Sequence, residues 1–190
     1  EPNNLKAINS LVIQRVLRWG KNVDLLLTDN WSFRSPDMSG DDFYASGYPR
    51  VTPQLPFEIM NYGRHYNGGK PPDTIRFNGK DLPNPTKNVH AQTFLGSKQR
   101  RWFLEQLGSS TARWKIWGHS FGTMEVRSDY QNLPGELGSS WPKDAGYAVV
   151  DNRFLRDKDE IFDFIQNQKI TGFCVVSGDR HAFHAGLASK

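Results

Sequence analysis

The sequence is poor in cysteine: Cys174 stands alone among 190 residues, so no intrachain disulfide framework holds the fold. No apolar stretch approaches the roughly 18 residues of a membrane span. No five like charges follow one another, so a charged nucleic-acid arm is not signalled. The signs are interspersed, 24 Lys and Arg against 20 Asp and Glu, for a formal net charge of +4. Internal repeats and low-complexity tracts are missing, which excludes solenoid arrays. The first residues, Glu1-Pro2-Asn3-Asn4, lack the basic head and apolar core of a signal peptide. The opening lacks Met and the chain stops at Ala188-Ser189-Lys190, so the expectation is a fragment of a longer polypeptide.

What is present is aromatic bulk. Phe, Trp and Tyr make up 13% of the chain, with six Trp, which argues against disorder. The length suits one domain able to bury a sizeable core. Leu11–Leu17 alternates apolar and polar, Gly20-Lys21-Asn22 signals a turn, and Val23–Leu27 is a short apolar run. The pattern predicts a hairpin whose second strand is buried on both faces. Residues 35–93 hold eight of the eleven prolines and show no persistent period. That segment reads as a long aromatic-bearing loop over the substrate side. Ser97–Gly108 reads as a helix capped by Ser97 and ended by Gly108, with Phe103 and Leu107 on one face. Arg113–Trp117 is a short strand. Asp157 reads as the cap of a helix with a stripe of Ile161, Phe162 and Ile165. Ile170–Ser177 is the strongest strand, apolar throughout and therefore buried.

That last strand runs into Gly178-Asp179-Arg180-His181, with His184 beyond. A carboxylate and an imidazole at the carboxyl edge of a sheet sit where open α/β sheets bind ligands. A hard oxygen and a borderline nitrogen together suit Zn, Fe or Mn. The alternative is that Asp179 caps a turn and His181 is a surface residue. A second motif, Gly118-His119-Ser120-Phe121-Gly122, matches the nucleophile elbow of α/β-hydrolases, with Ser120 as nucleophile and His181 as base. The elbow needs a helix after it, whereas a polar stretch follows. His119, at a strand's carboxyl end, is therefore a better candidate for a metal or substrate contact than Ser120. His65 and His90 read as loop or packing groups. Asp29 reads as a turn residue, and Arg34 is a candidate phosphate contact.

Several separated segments together resemble one family. They are Val16-Leu17-Arg18-Trp19-Gly20 with Asp24-Leu25-Leu26-Leu27-Thr28-Asp29, then Thr93-Phe94-Leu95-Gly96 with Gln99 and Trp102-Phe103-Leu104. Ala112-Arg113-Trp114-Lys115-Ile116 and Val175-Val176-Ser177-Gly178-Asp179-Arg180-His181 complete the set. Their order resembles the PhoD-like (alkaline phosphatase D) phosphodiesterases, a branch of the calcineurin-like metallophosphoesterases, and corresponds to the carboxyl-terminal part of the catalytic domain. The resemblance implies an α/β (α+β) fold with a central β-sandwich flanked by helices, incomplete as given. Residues 1–190 would be part of a single catalytic domain with a Pro/Gly-rich insertion at about 36–90. It implies hydrolysis of phosphate monoesters or diesters through metal-bound hydroxide, with two or more ions of Fe, Ca, Zn or Mn.

Asp179 and His181 match the family's metal-binding segment, and His119 stands where the strand after Arg113-Trp114-Lys115 reaches the same site. The family's Asp-Thr-Arg stands here as Asp29-Asn30-Trp31, without its Arg, and its Trp-Asp-Gly-Tyr is approximated by Asp144-Ala145-Gly146-Tyr147. Its earlier metal motifs have no counterpart. The expected partners are a phosphate ester and the missing amino-terminal part of the domain, with no nucleic acid and no membrane span. The resemblance suggests a secreted or periplasmic bacterial setting. Residues 1–190 alone would bind metal weakly and be inactive. A serine esterase built on Ser120, or a non-catalytic interaction domain, are the alternatives.

Overall fold

The computed structural model of the protein describes residues 10–35, 52–120, 122–124, 126–134, 141, 146–150, 154–178 and 183–187. It divides into two compact units. The first comprises residues 1–33, 95–122 and 161–187, and the second residues 34–94, 123–160 and 188–190. The architecture is mixed α/β.

The first unit is built on one four-stranded sheet. Strands β1 (Arg15–Trp19) and β2 (Val23–Leu27) form the expected hairpin, with Trp19 opposite Val23 and Gly20 at φ +54° in the turn. β1 starts later than the alternation predicts: Leu11, Val12 and Ile13 are exposed and lie outside the strand. Strands β6 (Trp114–Gly118) and β9 (Phe173–Val176) continue the sheet in the order β1-β2-β6-β9. β2, β6 and β9 are mutually parallel, so their carboxyl ends share one edge.

One face of this sheet carries Leu26, Trp117, Phe173 and Val175. Helix α2 (Gly96–Ser109) covers it with Phe103 and Leu107, and Ile161 joins the same cluster. Phe103 and Trp117 meet at a ring separation of 4.7 Å. Lys115 is buried on this face because its ammonium donates to the carbonyls of Ala112 at 2.7 Å and Thr171 at 3.3 Å. On the opposite face Leu17, Trp19, Trp114 and Val176 are exposed. β9 is thus a half-covered edge strand, not the buried strand its apolar composition predicts. Composition does not report which neighbours a strand has.

The expected caps of α2 also differ. Ser97 lies inside the helix, the N-cap is Leu95, and the helix runs through Gly108 to Ser109. Gly108 is a packing glycine: a Cβ there would lie 3.0 Å from Phe164 Cζ.

In the second unit, residues read as an aperiodic loop carry regular structure. β3 (Thr52–Pro53) leads into helix α1 (Gln54–Tyr62), and β4 (Thr74–Phe77) pairs with β5 (Lys80–Pro83). Residues 36–51 of that segment lie outside the described ones. Strands β7 (Val126–Ser128) and β8 (Ala148–Val150) join β3 in a three-stranded sheet of order β3-β8-β7. Ile59, Met60, Ile75 and Phe77 form the unit's own core. Helix α3 spans Leu155–Asn167. Asp157 does not cap it. The Lys158 N–H donates to the Phe154 carbonyl at 3.0 Å, so the helix is already under way. Asp157 instead accepts from the Thr93 hydroxyl at 2.5 Å and the Phe94 N–H at 3.0 Å.

Candidate functional site

Parallel strands leave their carboxyl ends on a common edge, and loops leaving that edge are where α/β sheets place ligand-binding groups. In the first unit these ends are Leu27 of β2, Gly118 of β6 and Val176 of β9. Gly118 makes room for the Leu27 side chain, since a Cβ there would lie 2.6 Å from Leu27 Cδ2. The ladder runs one residue past the strand, with the His119 N–H donating to the Val176 carbonyl at 3.0 Å. An open recess of about 400 Å³ lies at this edge, lined by Gly118, His119, Ser120, Val176, Ser177 and Gly178.

His119 is buried, and its ring stands edge-on to Trp117 at 4.3 Å and 83°. The strand geometry fixes its backbone and the indole fixes its ring. Ser120 is exposed in the same recess. No helix directly follows it among the described residues, where the next element is β7, so the strand–turn–helix of a nucleophile elbow is not seen there. Arg34 is exposed and belongs to the second unit. Asp179 and His181 lie outside the described residues, as do Phe121 and Asp144. His184 is exposed. His65 and His90 face each other in the second unit, with rings 5.8 Å apart.

Among the described residues no group of three or more His, Cys, Asp or Glu is placed to hold a metal ion. Among the residues lining the recess, His119 is the one of these four types. No helix among the described residues is long and apolar enough to cross a membrane.

Sequence reading missed the hydrogen-bond network of the loop that follows β2. Trp117 Nε1–H donates to the Thr28 hydroxyl at 3.0 Å, and that hydroxyl donates to Asn30 Oδ1 at 3.0 Å. Gln99, buried on α2, grips the loop backbone from the other side. Its Oε1 accepts the Asp29 N–H at 2.7 Å, and its Nε2 donates to the Asp29 carbonyl at 2.8 Å. Asp29 is a turn residue as expected, with Oδ1 accepting the N–H groups of Trp31 and Ser32, each at 3.0 Å. Burial alone raises its pKa. The Ser32 hydroxyl and the Ser32 and Trp31 N–H groups outweigh this and hold the carboxyl below its ordinary value. The available signal was a Thr-Asp-Asn run at a strand's carboxyl end, with a Gln on the helix that covers the sheet.

The family model for the PhoD-like phosphatases matches residues 3–189. Alkaline phosphatase D of Bacillus subtilis (strain 168) is 24% identical over 110 residues, which cover 58% of this chain and 17% of that protein. A solved structure described as "Structure of PhoD" superposes with a TM-score of 0.56 at 16% identity, over 90% of this chain and 24% of that one. The chain thus spans about a fifth of the length of the relatives it matches. With the model match running along nearly its whole length, the chain belongs to the PhoD-like phosphatase family.

Proposed function

We propose that the protein is a metal-dependent hydrolase of phosphate monoesters or diesters whose site lies at the carboxyl edge of the four-stranded sheet. The observation that carries this reading is the placement of His119. Its imidazole is held in a fixed orientation beside the recess from which β9 leads through Gly178 to Asp179 and His181. In this reading His119, Asp179 and His181 are the metal ligands and Arg34 contacts the phosphate. A bound divalent or trivalent ion (Fe, Ca, Zn or Mn) supplies Lewis-acid polarisation of the phosphoryl oxygen and activates water near neutral pH.

The chain's own part is to hold these donors still. The indole of Trp117 sets the His119 ring plane, and the His119–Val176 hydrogen bond ties the end of β6 to β9, which Asp179 and His181 follow in the sequence. The sheet then forms one layer of a metallophosphoesterase-type β-sandwich. Residues 1–190 are part of one catalytic domain, with the Pro/Gly-rich segment 36–90 as an insertion. Three donors are too few to hold two metals, so further ligands come from outside this set.

Paired substitutions test the roles. In the complete catalytic domain, His119→Ala should lower the bound metal found by elemental analysis and cut aryl phosphate hydrolysis by on the order of a hundredfold or more. Ser120→Ala should leave most turnover intact. The opposite ranking, with Ser120→Ala costing beyond roughly a thousandfold, would replace this reading with the serine-hydrolase one.

A further inference from the structure

The recess at the carboxyl edge holds a hydroxyl that the proposed ligand set does not use. Trp117 of β6 pairs with Val175 of β9, and both pack into one core cluster. Gly118 pairs with Val176, and the His119 N–H carries the ladder one step further by donating to the Val176 carbonyl at 3.0 Å. His119 and Ser177 therefore stand at the next position of the face that Trp117 and Val175 occupy. Both line the recess. His119 is buried, whereas Ser177 is exposed, so its hydroxyl is open to a bound group.

The direction of the Ser177 side chain follows from a glycine. A Cβ placed on Gly122 would lie 3.4 Å from Ser177 Oγ. The hydroxyl therefore faces the segment that leaves β6 through His119 and Ser120. Among the described residues it makes no hydrogen bond, so nothing in the chain holds its proton. The walls formed by Gly118, Val176 and Gly178 bring no polar side-chain atoms to the recess. Ser120 brings the other hydroxyl, but it lies beyond the last bond of the ladder. A serine hydroxyl donates best to an oxygen that carries charge, because such a bond is stronger than one between neutral groups. Beside an imidazole at a strand end, a phosphoryl oxygen has that chemistry.

We infer that Ser177 is a substrate-binding residue of this site, whose hydroxyl donates to a non-bridging phosphoryl oxygen held beside His119. The inference rests on the proposed phosphoesterase reading and gives a role to a residue outside the metal-ligand set. A non-bridging oxygen is present in the bound ester and in the phosphate product alike. Ser177 therefore strengthens binding of both and leaves the bond-breaking step to other groups.

The test compares wild type, Ser177→Ala and Ser177→Thr in the complete catalytic domain of which residues 1–190 are proposed to be part. Because Ser177 is exposed, neither change disturbs the core. Calorimetry gives the affinity for inorganic phosphate, and steady-state kinetics give kcat and KM for an aryl phosphate diester. Ser177→Ala should weaken phosphate binding and raise KM, each roughly tenfold, the scale of one lost hydrogen bond to a charged group, with kcat nearly unchanged. Ser177→Thr keeps the hydroxyl and should stand near the wild type in both. Phosphate affinity unchanged in Ser177→Ala overturns the inference, as does a Thr variant as weak as the Ala one or a wild type that binds no phosphate. A wild type that binds phosphate yet hydrolyses no ester would sink the phosphoesterase reading instead. Ser177 would then be judged by phosphate affinity alone, so the two failures are distinguishable.

Discussion

At the scale of single residues, the carboxyl edge of the sheet is shaped by three consecutive residues, Trp117, Gly118 and His119. Trp117 fills the space under β6, orients His119 on one side and anchors Thr28 on the other. Gly118 leaves room for Leu27. Gly118→Ala should destabilise the fold by no more than about 1 kcal/mol, below the cost of overpacking a rigid core, because the added methyl meets the flexible end of the half-buried Leu27 side chain. Urea unfolding measures this directly, and a larger loss would mean that Leu27 cannot move aside. His119 was legible in the sequence because a histidine just past a strand points to the carboxyl edge of a sheet. Thr28, Asn30 and Gln99 were not legible as a network. Gln99 lies 70 residues from Asp29 and Trp117 lies 89 from Thr28, and hydrogen bonds across such distances leave no spacing pattern.

At the scale of elements, the local rules worked where hydrophobic pattern and turn chemistry agreed. The β1–β2 hairpin, α2 and β6 all stand within a few residues of their expected bounds. Helix α1 was hidden by its prolines. Pro53 is its N-cap and Pro56 sits in its first turn, where the missing N–H costs nothing because first-turn N–H groups have no intrahelical acceptor. The β4–β5 hairpin was legible and overlooked. Asn78 and Gly79 both have positive φ, at 49° and 72°, as the tight turn of a two-residue hairpin requires, and Ile75 and Phe77 alternate inward before them.

The end of α1 also yields a pH dependence within the second unit. His65 follows α1 in a short 3-10 turn, and the Tyr62 hydroxyl bonds Asp159 of α3. Burial holds the His65 pKa below its ordinary 6.5. The charges of Arg156, Arg64 and His90 push the same way, and Glu160 opposes them. A folded-state pKa below the unfolded value means that the unfolded chain binds more protons in the interval between them. His65 therefore costs nothing above pH 6.5, and stability falls as pH drops below 6.5 toward the folded pKa. His65→Gln should flatten that acid-side loss of Tm. A wild-type curve with no slope below pH 6.5 would contradict it.

At the scale of the whole molecule, the family is clear and the activity is a reading of one edge of one sheet. The chain matches the PhoD-like family model from residue 3 to 189, while it covers 17% of the Bacillus relative and 24% of the solved PhoD chain. The family was legible because its motifs lie on the strands and helices that build the first unit's core. The further ligands that the proposed metal site requires were not, because a polynuclear site collects donors from many strand ends and this sequence offers few.

The most direct measurement is hydrolysis of an aryl phosphate diester by the complete catalytic domain of which residues 1–190 are proposed to be part, as purified, after removal of metal by a chelator, and after metal is restored, with elemental analysis at each stage. The account predicts that metal accompanies the active protein, that turnover disappears with it, and that both return together. Undiminished turnover by protein shown to be free of metal would contradict it.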